Sequence, residues 1–149
     1  MAGLYFEEFE VGRVYKHELS RTVTEMDNIL FSSLTMNTQP LHLDEHFSQQ
    51  TQHGQRIVNS IFTLGLLVGM TVTELTLGTT LGNLSMTNIR FPRPVFHGDT
   101  LKAETEILDK KESKSKSDRG VVFFAHRAYN QHGEEVAYCE RAGMMVRRA

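Results

Sequence analysis

The spacing of apolar and polar positions changes several times along the chain, and each change marks an element. Arg13 to Val23 alternates polar and apolar residues behind a breaking Gly12, which predicts a strand. Thr24, with Asp27 three residues on, is a capping signal, and Met26, Ile29, Leu30, Phe31 and Leu34 recur at helical spacing. A short amphipathic helix is therefore expected to run to about Leu34. Pro40 bars a helix from crossing it, and Asp44 is placed to cap a second short helix through Glu45, His46 and Phe47; the segment between reads as a loop. From Asn59 or Ser60 to about Leu77 the chain is apolar nearly all round, which predicts a helix buried in a core. Gly65 and Gly69 lie four apart in it, at a propensity cost of about 1 kcal/mol each, and tight packing against a sheet is expected to offset that cost. After Gly78 the period becomes two, and Leu81 to Phe91, Thr100 to Leu108, Val121 to Asn130 and Val136 to Val146 read as strands. The charged stretch Asp109 to Arg119 between two of them reads as a solvated hairpin loop.

One strand, then helices, then four strands predicts a single α+β domain over residues 1–149, with an antiparallel sheet wrapped around the long apolar helix. The open edges of such a sheet would be satisfied by a second copy, so a homodimer or a higher homo-oligomer is expected. Composition narrows the function. With 149 residues, 40% hydrophobic and 23% charged, the chain can close a core, and a net charge of −2 supplies no basic field for nucleic acid. The apolar run from Ile61 to Val72 is interrupted and falls short of the ~20 residues that cross a bilayer, so no membrane partner is expected. A single cysteine, Cys139, and an acidic start point to a cytoplasmic protein.

The run Thr35-Met36-Asn37-Thr38-Gln39-Pro40-Leu41-His42-Leu43-Asp44 resembles the signature of the MaoC-like hydratases, a family of hotdog folds whose motif reads GDxNPLHxD. The segments TEMDN (Thr24 to Asn28), RIVNS (Arg56 to Ser60) and FPRPVFHGDTL (Phe91 to Leu101) extend the resemblance over nearly the whole chain, and it is closest to the branch acting on mesaconyl-, itaconyl- or β-methylmalyl-CoA. It implies a hydro-lyase that hydrates a trans-2-enoyl thioester or dehydrates a 3-hydroxyacyl thioester. The acyl-CoA is the substrate, and no cofactor or metal is implied. Carried over by position, Asn37 stands for the motif Asp, His42 for its His and Gln39 for its Asn. Ser60 stands for the glycine whose N–H polarises the thioester carbonyl, and Asn59 for a flanking His. The Ser60 role also has a physical basis, because the first amides of a helix are unpaired and carry the positive end of its dipole.

Asn37 is the departure with the largest consequence. An amide does not take a proton from water at neutral pH, which leaves His42 as the general base. A substrate that is itself a carboxylate would explain the change: a second negative charge about 4 Å from an aspartate costs about 1 kcal/mol in water and about 4 kcal/mol at an effective dielectric of 20. Arg56, Arg90 and Arg93 flank the site and are the candidate cations for such a group. Two rival functions remain, a hotdog acyl-CoA thioesterase and a non-catalytic acyl-CoA-binding protein. Asp27 and Asp44 read as helix caps, and His97-Gly98-Asp99 as a turn. His17, His53, His126 and His132 read as surface or structural residues, and Cys139 as a packed thiol.

Overall fold

A computed structural model describes residues 2–149. A 3-10 turn at Phe6–Glu8 leads into strand β1 (Val14–Thr22) and then helices α1 (Glu25–Leu34), α2 (Pro40–Leu43), α3 (Glu45–Gln49) and α4 (Ser60–Leu75). Four strands follow: β2 (Thr80–Arg90), β3 (Thr100–Glu112), β4 (Arg119–Tyr129) and β5 (Glu135–Val146). All five strands form one antiparallel sheet in the order β1-β3-β4-β5-β2, and α4 lies against β1, β3, β4 and β5. This is the α+β arrangement that the sequence predicts. No helix among the described residues is long and apolar enough to cross a membrane.

The short helices start where their caps dictate. Thr24 Oγ1 accepts from the Asp27 amide at 3.2 Å while Asp27 Oδ2 accepts from the Thr24 amide at 2.8 Å, a reciprocal capping box. Asp44 Oδ1 accepts from the Phe47 amide at 2.9 Å and opens α3. The stretch before it is not all loop as expected: Pro40 opens the single turn α2, since at a first helical position its missing N–H forfeits no bond. The hairpin Asp109 to Arg119 is also more ordered than its composition suggests. Lys111 pairs with Val121 and Glu112 with Gly120, so only residues 113–118 turn. Lys110 and Lys111 lay their ammonium groups over the rings of Phe6 and Phe123, and exposed charged side chains leave the backbone ladder free to extend.

The core divides in two. One cluster gathers Val23, Val58, Leu67, Leu101, Ala103, Ala128 and Cys139, and the other Phe6, Phe9, Leu75, Ile107, Phe124 and Met145. A polar row separates them. Thr105 lies between Ala103 and Ile107 on β3, His126 between Phe124 and Ala128 on β4, and Arg141 between Cys139 and Met145 on β5. The row is one hydrogen-bonded chain whose direction follows from its ends. Arg141 Nε donates to His126 Nε2 at 2.9 Å, so His126 carries its proton on Nδ1 and donates to Thr105 Oγ1 at 2.7 Å. Thr105 in turn donates to His17 Nε2 at 2.8 Å, and His17 Nδ1 donates to Glu74 Oε2 at 3.1 Å. Burial, with the charge of Arg141 and the neighbouring His17 adding to it, holds His126 well below the ordinary imidazole value, in keeping with a neutral ring. His17 and His126 are thus structural, and burial pushes the Cys139 thiol up to about 11, which suits a packed group and not a nucleophile.

The residues before β1 close the end of the molecule away from the head of α4. Gly3 and Leu4 donate to the carbonyls of Leu77 and Leu75, and Phe6 sits where a Cβ at Gly120 would overlap its ring. Arg147 and Arg148 grip Glu7 and Glu8 at 2.9 and 2.8 Å.

One expectation about α4 is reversed. The sheet receives Thr63, Leu67, Met70, Thr71 and Leu75, whereas Gly65 and Gly69 are exposed with no atom within 4 Å of where their Cβ would be. They form an outward stripe with Ile61 and Thr73. Periodicity identified the face, but the larger side chains, with more apolar area to bury, took the sheet.

Candidate active site

A single buried asparagine organises the region at the head of α4. Asn28, on α1, is fully buried, and its Oδ1 accepts from the Asn59 amide at 2.8 Å. Its Nδ2 faces three acceptors: the carbonyls of Ile57 and His42 at 3.0 and 3.2 Å, and His97 Nε2 at 3.0 Å. One side chain therefore fixes the loop that carries His42, the strand-like segment entering α4, and the FPRPVFHGD joint. Burial, and then the nearby Arg56 charge, lowers the His97 pKa, which keeps Nε2 available as the acceptor.

His42, half-buried on α2, directs Nδ1 at the Ile57 carbonyl at 2.8 Å. A carbonyl only accepts, so Nδ1 bears the proton and Nε2 of the neutral ring is left with a free lone pair. Three residues past Ile57, α4 begins. Asn59 caps it, its Oδ1 accepting from the Ile61 amide at 3.0 Å and its backbone oxygen from the Thr63 amide at 3.2 Å. The Ser60 amide has no acceptor among the described residues. It is an unpaired donor at the positive end of a helix dipole.

Asn37 follows Met36, whose φ of 60° turns the chain out of α1 and lets the Asn37 amide reach back to the Ser32 carbonyl at 2.8 Å. Asn37 Oδ1 accepts from the Gln39 amide at 3.1 Å, which leaves the Nδ2 donor as its outward group. The Gln39 carbonyl accepts from the His42 amide at 3.0 Å, so Asn37 and His42 are tied through the backbone of Gln39 and not to each other. A cavity of about 230 Å³ opens beside the head of α4, lined by Ser60, Thr63, Ile57, Val58, Val95, Phe91, Pro92, Pro94, Arg93, His53 and Val136. Ile57 joins this space to His42, since it lines the cavity and its carbonyl holds the imidazole.

The MaoC like domain model matches residues 7–124. The chain belongs to the MaoC-like family. Among its relatives is a mesaconyl-CoA hydratase from Cereibacter sphaeroides, 31% identical over 99% of this chain; the chain spans 42% of that protein. A MaoC-like dehydratase from Rhodospirillum rubrum superposes with a TM-score of 0.85 at 27% identity, covering 99% of each chain. A Mycobacterium tuberculosis protein described as a double hotdog fold superposes with a TM-score of 0.87 at 19% identity over 98% of this chain and 45% of that one, which shows the fold alone.

Within this MaoC-like domain several expected binding residues have other work. Arg56 is engaged by two carboxylates, its Nη2 meeting Glu25 at 2.9 Å and its Nε meeting Glu45 at 3.1 Å. Arg90 lies 4.2 Å over the ring of Tyr138, on β5. The Asn59 side chain is engaged by the α4 cap and by Ser32 Oγ at 3.3 Å. Gln39 is exposed at the start of α2 and serves through its backbone. Arg93 alone of the three arginines lines the cavity, where it also pairs with Glu134 at 2.9 Å. Sequence reasoning missed Asn28 and the partner role of His97. Asn28 lies inside TEMDN, but its bonds reach residues 14 to 69 positions away, and no local pattern announces them.

Proposed function

We propose that this domain hydrates an α,β-unsaturated acyl-CoA, or dehydrates the corresponding 3-hydroxyacyl-CoA, and that the acyl group is a short branched dicarboxylic one of the mesaconyl or itaconyl type. One observation carries the reading: the buried Asn28 bonds the backbone of His42, whose Nε2 is free, the carbonyl of Ile57, which holds the His42 ring, and the amide of Asn59, next to Ser60. In hydration, His42 Nε2 takes a proton from water as the oxygen bonds to C3. The alkene electrons move to the thioester, and the enolate oxygen that results accepts from the Ser60 N–H. The imidazolium then returns the proton to C2, so the net change is addition of water. Removing an oxyanion donor of this kind commonly costs about 3 kcal/mol in the barrier. Asn37 Nδ2 orients the water as a donor to its oxygen, and its neutral amide lets an anionic acyl group lie close by, where an aspartate would repel it.

The reading extends to assembly. The edge strand β2 leaves Leu81, Leu84 and Ile89 exposed, and α4 leaves Ile61 exposed beside its glycine stripe. Both features support a homodimer in which a second copy continues the sheet and covers α4. The free buried thiol of Cys139 supports a cytoplasmic address.

The test is a spectrophotometric panel of enoyl-CoA esters with and without a terminal carboxyl group, run alongside a thiol reagent. Loss of the conjugated double bond without free CoA is expected, fastest with the carboxylated esters. Release of CoA would instead establish a thioesterase, and binding without turnover a binding protein.

A further inference from the structure

The frame at the head of α4 has one member that can change its charge. Asn28 Oδ1 accepts from the Asn59 amide at 2.8 Å, and a backbone N–H only donates, so the Asn28 amide has one orientation and its Nδ2 is the atom facing His97 Nε2 at 3.0 Å. An amide nitrogen donates as well, so His97 Nε2 accepts, and the ring is neutral with its proton on Nδ1. The other acceptors of Nδ2 are the Ile57 and His42 carbonyls at 3.0 and 3.2 Å. Two hydrogens thus serve three acceptors. The frame tolerates the loss of one acceptor, but not a donor in its place. Turning the Asn28 amide over does not answer a protonated His97, because Nδ2 would then meet the Asn59 N–H and Oδ1 would meet two carbonyls. Asn28 is fully buried and has no solvent to turn to.

His97 is half-buried, within reach of a proton that Asn28 never meets. Three charged groups surround it: Glu25 from α1, Glu45 from α3 and Arg56 from the entry to α4. Burial and Arg56 oppose its protonation while the two carboxylates favour it, and Arg56 is itself bonded to both. The backbone that carries the ring is held independently of the side chain. The Gly98 amide donates to the Val23 carbonyl at 2.8 Å, the Phe96 amide to Asp99 Oδ2 at 2.9 Å, and Phe96 forms an antiparallel bridge with Ile57. A charged His97 therefore has little room to retreat from Asn28.

We infer that His97 is a positioning residue that gates the site by its protonation: neutral, it accepts from Asn28 and the frame stands; protonated, it drives Asn28 off, and His42 and the head of α4 lose their common anchor. The inference rests on the hydratase reading above. His97 touches no reacting atom and acts only through Asn28. Hydration then requires two neutral imidazoles, His42 as the base and His97 as the acceptor, so activity falls in acid more steeply than one group allows.

The experiment has two parts. In the ¹⁵N-histidine-labelled chain, long-range ¹H–¹⁵N spectra followed from about pH 8 to about pH 5 read the tautomer and the titration of His97 without any turnover. A proton on Nδ1 is expected at the upper end; a proton on Nε2 there would overturn the inference. The second part compares the pH dependence of kcat/KM for mesaconyl-CoA in the unaltered chain and in His97→Gln, whose side-chain oxygen accepts without titrating. The acid limb should approach about a hundredfold loss per pH unit in the unaltered chain and about tenfold in His97→Gln, since one of the two titrating groups is gone. A purely structural role would lower the whole profile and leave its slope alone, and equal slopes in the folded variant would overturn the inference. If His97→Gln fails to fold, the labelled chain decides: the steeper part of the acid limb must coincide with the His97 titration, and a mismatch would overturn the gate. Should the unaltered chain hydrate no ester at any pH, the hydratase reading falls, and the tautomer spectrum still shows whether the His97–Asn28 bond is made as described.

Discussion

His42 and His126 are both fixed by hydrogen bonds within one small domain, and the way each network ends separates their roles. The network around His126 runs from a buried guanidinium to a carboxylate, and each imidazole nitrogen along it, on His126 and on His17, has a partner. The network around His42 is anchored too, through Ile57 and Asn28, but stops one bond short: among the described residues Nε2 has no partner, and neither does the Ser60 amide three residues past Ile57. The histidine proposed to react is the one that leaves a bond unmade. Burial alone would point to the other ring, since His126 is fully buried and His42 only half.

The comparison can be broken by substitution. The largest effect is expected from His42→Ala, which should lower kcat/KM for hydration by about a thousandfold, as loss of a general base does, while the thermal midpoint moves little. Turnover that survives this change would remove His42 from the mechanism. Next in size, His126→Leu should cost about 3 kcal/mol of stability in a denaturant titration, because it strands the Arg141 guanidinium, for which His126 is the acceptor. Its effect on kcat/KM should stay within about threefold; a large loss of activity in the folded variant would mean that the row reaches the active site.

A pH titration sharpens the contrast further. The folded pKa of His126 is depressed below the ordinary 6.5, so the unfolded chain binds the proton more readily than the folded one. The stability that the neutral ring contributes is complete above about pH 6.5 and is lost as the pH falls below it, at up to about 1.4 kcal/mol per pH unit for this one group. Unfolding free energies measured from pH 7 to 5 should show that slope, and His126→Leu should reduce it. The smallest change is Asn37→Asp, which at a half-exposed position should shift preference away from carboxylated esters and towards crotonyl-CoA by about fivefold. A shift in the other direction would dispose of the charge argument.

Much of the architecture was readable before any coordinates. The change of period after Gly78 located β2 to β5, and Thr24 and Asp44 announced the starts of α1 and α3, because caps and alternation are local. What was not readable depends on partners distant in sequence. Arg56 looked available until Glu25, 31 positions away, folded against it. The glycine stripe of α4 was visible as a face, yet a periodic pattern does not say which neighbour each face meets. Asn28 had no signal beyond its place in a family-like segment, since its contacts exist only once α1, α2 and the entry to α4 are assembled. Of the candidate site, His42 and Ser60 were named through the resemblance, and the hydrogen bonds that hold them were not.

The clasp formed by Gly3, Leu4 and Phe6 bears on how the domain assembles as it leaves the ribosome. Their seats are Leu75 to Leu77 and Gly120, and the arginines that grip Glu7 and Glu8 are Arg147 and Arg148, so this segment waits for partners made as many as 140 positions later. Such late, long-range closure contributes little to a folding nucleus and mainly slows unfolding once made. The aromatic ring of Phe6 therefore stays a sticky, unsheltered surface until Gly120 and Arg147 have been made, and becomes a lock only then.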